Sequence, residues 1–154
     1  MPSEIIFERV ASTKEELPAA EFVKCISSAM ATRRSGVSVG LRGELGAGKT
    51  TFVKEVLKLL GISESTVVSP TYTLQQRYEG SLCGEKLSVE HWDVYRLASA
   101  PHELLEALPP NTLQLVEWAE KVGFEPDYRV DIEFLALGAD PGGERKVTFT
   151  ALSR

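Results

Sequence analysis

Residues Gly43-Glu44-Leu45-Gly46-Ala47-Gly48-Lys49-Thr50 fill the pattern G-x-x-x-x-G-K-[ST] at every fixed position. That spacing suits a loop that grips phosphate. Gly43, Gly46 and Gly48 let the backbone turn tightly and bring its N–H groups against phosphate oxygens. A helix starting near Lys49 would add the positive end of its dipole. Lys49 would reach the β- and γ-phosphates, and the Thr50 hydroxyl would ligate Mg²⁺. A glycine turn that binds nothing has no packing use for Lys-Thr at a helix start. The flanks agree: Val37, Val39 and Leu41 alternate with Ser38, Gly40 and Arg42 as a strand would, and Phe52, Val53, Val56, Leu57 and Leu60 recur at helical spacing.

Nucleotide hydrolysis also needs a carboxylate near the metal and the attacking water. Glu117 directly follows the strand-like Leu113-Gln114-Leu115-Val116, and Asp93 follows Leu87-Ser88-Val89-Glu90-His91-Trp92. Both fit the carboxyl edge of an open α/β sheet, where such sheets bind ligands. Taken alone, each reads equally as a solvated strand-end acid. His91 would share a strand face with Asp93, as a metal partner or a hydrogen-bonded structural residue. Trp118 either reports on the site or closes the core, Arg96 either stabilises charge or braces Asp93, and Ser69-Pro70-Thr71-Tyr72 reads as a switch segment or a proline turn.

The elements that would position these groups follow from periodicity. Ile5, Phe7 and Arg9-Val10 suggest a first strand. Ser12-Thr13-Lys14-Glu15 has capping-box form and predicts a helix from there, with Pro18 in its first turn and Leu17, Phe22, Val23, Ile26 and Met30 inward. A strand over 37–42, the loop, and a helix over 50–60 ending at Gly61 come next. Strands over 74–78 and 87–91 pair around a turn-rich 79–86, a helix covers 101–108, and a strand covers 112–116. The alternating sets Val130, Ile132, Phe134, Ala136 and Val147, Phe149, Ala151 form a closing hairpin around 138–144. This order predicts an α/β class: a P-loop NTPase-like fold, one domain over 1–154, with a mixed parallel and antiparallel sheet flanked by helices.

Composition narrows the function. The chain has 154 residues, 43% of them hydrophobic, enough for one core. No run approaches the ~18 apolar residues of a membrane span. The acidic N-terminus does not read as a signal peptide, and Cys25 and Cys83 read as two plain thiols, so a cytoplasmic setting is expected. The net charge is −5, yet residues 33–58 hold six basic and two acidic side chains. The positive segment coincides with the loop and suits a polyanion, whereas an acidic chain grips nucleic acid poorly by itself. The acidic stretch 101–129 faces solvent or a basic partner.

Four segments in order, Gly43-Glu44-Leu45-Gly46-Ala47-Gly48-Lys49-Thr50-Thr51-Phe52, Ser69-Pro70-Thr71-Tyr72, His91-Trp92-Asp93-Val94-Tyr95-Arg96-Leu97 and Val116-Glu117-Trp118-Ala119-Glu120, closely resemble the TsaE (YjeE) family of small bacterial ATPases. The last three carry the identification, because the loop alone is widespread. The resemblance spans nearly the whole chain. It implies a Mg²⁺-dependent ATPase that works with TsaB and TsaD in making N6-threonylcarbamoyladenosine in tRNA. Hydrolysis of ATP would reset the TsaB–TsaD assembly, and tRNA would be met only through that complex. Carried over by motif, Glu44, Leu45, Gly46, Ala47, Gly48, Lys49, Thr50 and Thr51 would bind ATP. Lys49, Asp93 and Glu117 would be catalytic. Thr50 and Glu117 would hold Mg²⁺, the latter directly or through water. Ser69 to Tyr72 would sense the nucleotide. Ser12 and Thr13, and Arg145 or Lys146 in the last hairpin, would lie near it. Residues 102–112 lack the glycine turn usual there, and Gln114 makes its strand less apolar than usual. A small-molecule kinase and a nucleotide-gated interaction module are the alternatives; the first needs an acceptor pocket and a lid that no segment supplies.

Overall fold

The computed structural model describes residues 2–63, 74–135 and 143–152. Its strands are β1 (Glu4–Ala11), β2 (Val37–Arg42), β3 (Gln75–Leu82), β4 (Glu85–Asp93), β5 (Thr112–Glu117), β6 (Tyr128–Phe134) and β7 (Arg145–Ala151). Its α-helices are α1 (Ala19–Ala31), α2 (Lys49–Leu59) and the one-turn α3 (His102–Leu105). The strands form one sheet in the order β1-β7-β6-β2-β5-β4-β3. Its centre, β6-β2-β5-β4, is parallel, and β1, β7 and β3 add antiparallel edges. This is the mixed α/β sheet that the alternation predicts.

The central strands are covered on both faces, so β2 is buried from Val37 to Leu41 and β5 along its whole length. On one face, Phe22 and Ile26 of α1 and Phe52, Val53, Val56 and Leu57 of α2 pack over Val37, Val39, Leu41, Leu113, Leu115 and Phe149. Phe22 joins the layers, with its ring edge-on to Phe52 and Phe149. On the other face a smaller cluster of Trp92, Val94, Leu104, Val116 and Ala119 lies under α3 and the 3₁₀ turn Ala119–Val122.

Several boundaries differ from the sequence expectation. No helix starts at the capping box: Thr13 opens only a 3₁₀ turn, Lys14–Glu16, and makes no side-chain cap bond. Leu17, which precedes Pro18, is extended at φ −60 and ψ 144, as a residue before proline must be. The helix therefore starts at Ala19, with Pro18 as its cap. The segment 79–86 is mostly strand, because Cys83 and Gly84, both at positive φ, make the whole reversal. The helix expected over 101–108 leaves helical geometry at Glu106. Part of the 138–144 turn lies outside the described residues, but the antiparallel β6–β7 pairing it was expected to close is present.

Candidate functional site

The face of the sheet under α2 changes character along its strands. Leu87, Val89, His91 and Asp93 follow one another at period two on β4, and Leu113, Leu115 and Glu117 do so on β5. The parallel register sets His91 beside Leu115 and Asp93 beside Glu117. Apolar packing thus gives way to ionisable groups at the carboxyl edge, next to the loop that joins β2 to α2.

There the chain walls a cavity of about 460 Å³. The loop and the start of α2 contribute Leu45, Gly46, Gly48, Lys49, Thr50 and Thr51, and the strand ends contribute Asp93, Glu117 and Trp118. Lys14, Leu74, Tyr95 and Arg96 complete the wall. Gly48 has φ +118, and a Cβ there would lie 2.9 Å from Leu17 and 3.0 Å from Lys14. Glycine is required at this point by both conformation and space.

Lys49 is buried and donates to the Gly43 carbonyl at 2.6 Å, with its ammonium 3.5 Å from the centre of the Trp118 ring. Burial pushes its pKa below the usual lysine value, while Glu117, Glu120 and Asp93 pull the other way. Trp118 sits at φ 67, a left-handed conformation rare for a bulky residue. Its ring stacks obliquely on Tyr95 at 4.9 Å. Glu117 is buried and meets His91 Nε2 through Oε2 at 2.6 Å. Asp93 is half-buried and accepts from the Tyr95 amide at 3.0 Å.

Arg145 stands behind the loop, wholly buried. Its guanidinium donates to Ala47 O at 2.6 Å and Gly46 O at 3.2 Å, and also to Gly143 O. A peptide carbonyl and the following N–H point in opposite directions. Seizing the Ala47 carbonyl therefore turns the Gly48 N–H away from Arg145. Hydroxyl, carboxylate and loop amides converge as hard oxygen donors and anion-binding N–H groups, a set suited to a phosphate chain with a divalent cation.

The profile of the family described as "Threonylcarbamoyl adenosine biosynthesis protein TsaE" matches residues 13–147. The chain belongs to the TsaE family. It is 39% identical over 142 residues to the tRNA threonylcarbamoyladenosine biosynthesis protein TsaE of Treponema pallidum, covering 82% of this chain and 98% of that protein. It is 37% identical to the Bacillus subtilis protein of the same name, over 77% of this chain and 72% of the other. The crystal structure of Bacillus subtilis YdiB superposes with a TM-score of 0.58 at 29% identity, covering 97% of this chain and 88% of that one. The chain thus shares its α/β P-loop fold with that structure, and the family it belongs to is named for threonylcarbamoyladenosine biosynthesis.

In this TsaE chain the loop residues, Asp93 and Glu117 meet at one cavity. Glu44 and Ala47 belong to the loop but do not line it, and Ala47 is buried against Arg145. Ser12 is exposed and Thr13 half-buried; their neighbour Lys14 is the one on the wall. Ser69 to Tyr72 lie outside the described residues. Sequence reasoning passed over Lys14, used there only as part of a cap, and the His91–Glu117 contact, for which shared strand periodicity was the available signal. Among the described residues no helix is long and apolar enough to cross a membrane.

Proposed function

We propose that this chain acts as one Mg²⁺-dependent ATPase domain, in the cytoplasm, that binds the TsaB–TsaD complex and resets it during tRNA N6-threonylcarbamoyladenosine formation. One observation carries the reading: a phosphate-type loop and two strand-end carboxylates, register partners on adjacent parallel strands, wall the same cavity of about 460 Å³. Membership in a family named for this modification supplies the pathway.

In this reading the amides of Gly46 to Thr50 receive the β- and γ-phosphates at the start of α2. Lys49 leaves the Gly43 carbonyl and the Trp118 ring and turns its ammonium to the γ-phosphate. Thr50 and Glu117 would hold Mg²⁺, which would supply neutralisation of the phosphate charge. A nucleotide-bound Mg²⁺ takes one or two protein oxygens and the rest of its ligands from phosphate and water. Asp93, on the neighbouring strand, orients the water that attacks the γ-phosphorus. Lys14 is on the cavity wall, with Ser12 and Thr13 just before it in the chain, and Arg145 holds the loop from behind through the Ala47 and Gly46 carbonyls.

The test is phosphate release by the full chain, alone and with purified TsaB and TsaD. Slow hydrolysis alone and a marked rise with both partners is the expected result. A rate indifferent to the partners would refute the complex-resetting role, and no binding of ATP by calorimetry would refute the ATPase itself.

A further inference from the structure

His91 is 1% exposed, and its contact with Glu117 is a 2.6 Å hydrogen bond in the buried interior. Its other nitrogen, Nδ1, is buried and has no hydrogen-bond partner among the described residues. The ring therefore spends its one useful N–H on Glu117: a proton on Nδ1 would be an orphaned buried donor and would set a bare lone pair against a carboxylate. This arrangement is a poor choice for packing. Leu87 and Val89 precede His91 on the same face and Leu115 lies beside it, so an aliphatic side chain at 91 would continue the stripe without an unsatisfied nitrogen. A buried polar atom left without a partner calls for a reason other than stability.

We infer that His91 is a positioning residue for Glu117, fixing Oε2 so that the carboxylate presents one set orientation to the metal-nucleotide; the inference rests on the nucleotide reading above. Glu117 lies at the last position of β5, where the strand gives way to the left-handed Trp118. Among the described residues the His91 bond is the side-chain hydrogen bond that orients this carboxylate. Free of it, the carboxylate rotates about its terminal torsion, a broad and soft one. The role is the reverse of the familiar pairing in which a carboxylate orients a metal-binding imidazole.

The experiment compares the affinity of a non-hydrolysable ATP analogue in EDTA and in Mg²⁺, by calorimetry, for wild type, His91→Leu, His91→Gln and His91→Asn. The ratio of the two affinities is the metal-dependent gain. His91→Leu should lose about tenfold or more of that gain while its metal-free affinity stays within about twofold. His91→Gln, whose amide nitrogen reaches the place of Nε2, should keep the gain, and His91→Asn, one methylene shorter, should lose it. A His91→Leu protein with the wild-type gain, or one that loses both affinities equally, overturns the inference. Should the leucine variant fail to fold, equal gains for Gln and Asn overturn it as well. A wild type with no gain refutes the metal-nucleotide reading itself, a failure visible before any variant is made.

Discussion

Gly43 is the glycine whose role the loop motif explains least well and whose replacement has the clearest consequence. Gly43 is not among the glycines at positive φ, so conformation alone does not demand glycine there. An added Cβ would lie 2.6 Å from the backbone oxygen of Ile132 and 3.3 Å from the Ala47 methyl. An ordinary C···O contact is about 3.3 Å, so Gly43→Ala must open this gap by roughly 0.7 Å. Strand β6 is hydrogen-bonded to β2 on one side and β7 on the other, so the loop moves instead. The Gly43 carbonyl anchors Lys49, and the ammonium moves with it. Overpacking of this kind costs about 1–3 kcal/mol. At about 2–4 °C per kcal/mol for a chain of this size, the midpoint should fall by roughly 2–12 °C. Misplacement of reacting groups by about 1 Å costs on the order of a hundredfold in rate, so hydrolysis should fall at least about tenfold. Gly84→Ala is the control: it has φ +80 and no atom within 4 Å of the new Cβ, far along the sheet in the β3–β4 turn. It should lose about 1–2 kcal/mol from conformation alone and leave hydrolysis unchanged. Denaturant unfolding and phosphate release measure both. If Gly43→Ala is destabilised no more than Gly84→Ala and hydrolyses ATP at the wild-type rate, the steric reasoning fails.

Lys49→Met should cost about two to three orders of magnitude in hydrolysis, while its melting midpoint stays at or above wild type, because burial of the ammonium is the leading influence on that residue. The pH dependence follows from the same shift. The folded pKa of Lys49 lies below the ordinary 10.5 of the unfolded chain. The cost of the buried charge is therefore complete below the folded pKa and fades as pH rises through it towards the unfolded value, so denaturation at neutral and alkaline pH should show wild type gaining on Lys49→Met. Arg145→Lys keeps the charge but cannot serve the Ala47 and Gly46 carbonyls together, and should lose about 2 kcal/mol of stability along with nucleotide affinity, read by unfolding and calorimetry. Glu117→Gln should bind the ATP analogue more tightly than wild type in EDTA and less tightly in Mg²⁺, and should hydrolyse ATP poorly; equal affinities in both buffers would argue against Glu117 as the metal carboxylate.

Much of this was legible in the sequence because one side chain in two, or one in three or four, reports which way an element faces. The period-two runs through Val37, Leu113 and Val147 located β2, β5 and β7 correctly. The period also held information left unused: Arg145 falls in step with Val147 and Phe149, which places its guanidinium on the core face rather than in the open site. What periodicity cannot give is which strands are neighbours. That β7 inserts between β1 and β6, and that β4 lies beside β5 in the register that joins His91 to Glu117, depends on pairing across distant segments. Local signals misled where a stronger local rule competed. The capping box before Pro18 lost to the extended conformation that proline imposes on Leu17, and so Lys14 came to rest over Gly48 at the cavity instead of inside a helix.

Among the described residues the cavity wall carries Lys14, Lys49 and Arg96 against Asp93 and Glu117, a surplus of a single positive charge. A triphosphate brings more negative charge than that surplus matches, and it would lie beside two carboxylates. A wall built only to hold phosphate has no use for either acid, since like charges at this range oppose binding in a partly buried site. The acids become favourable only when a cation stands between them and the phosphates, converting repulsion into two attractive contacts. On the nucleotide reading proposed above, this charge pattern would make binding depend on a divalent cation and would disfavour free nucleotide. Lys49 lies 3.5 Å from the Trp118 ring centre and bonds to the Gly43 carbonyl, so its charge has partners before any ligand arrives. On the same reading, nucleotide would have to displace both contacts, and a change at Trp118 or at Tyr95 stacked on it would be felt at Lys49.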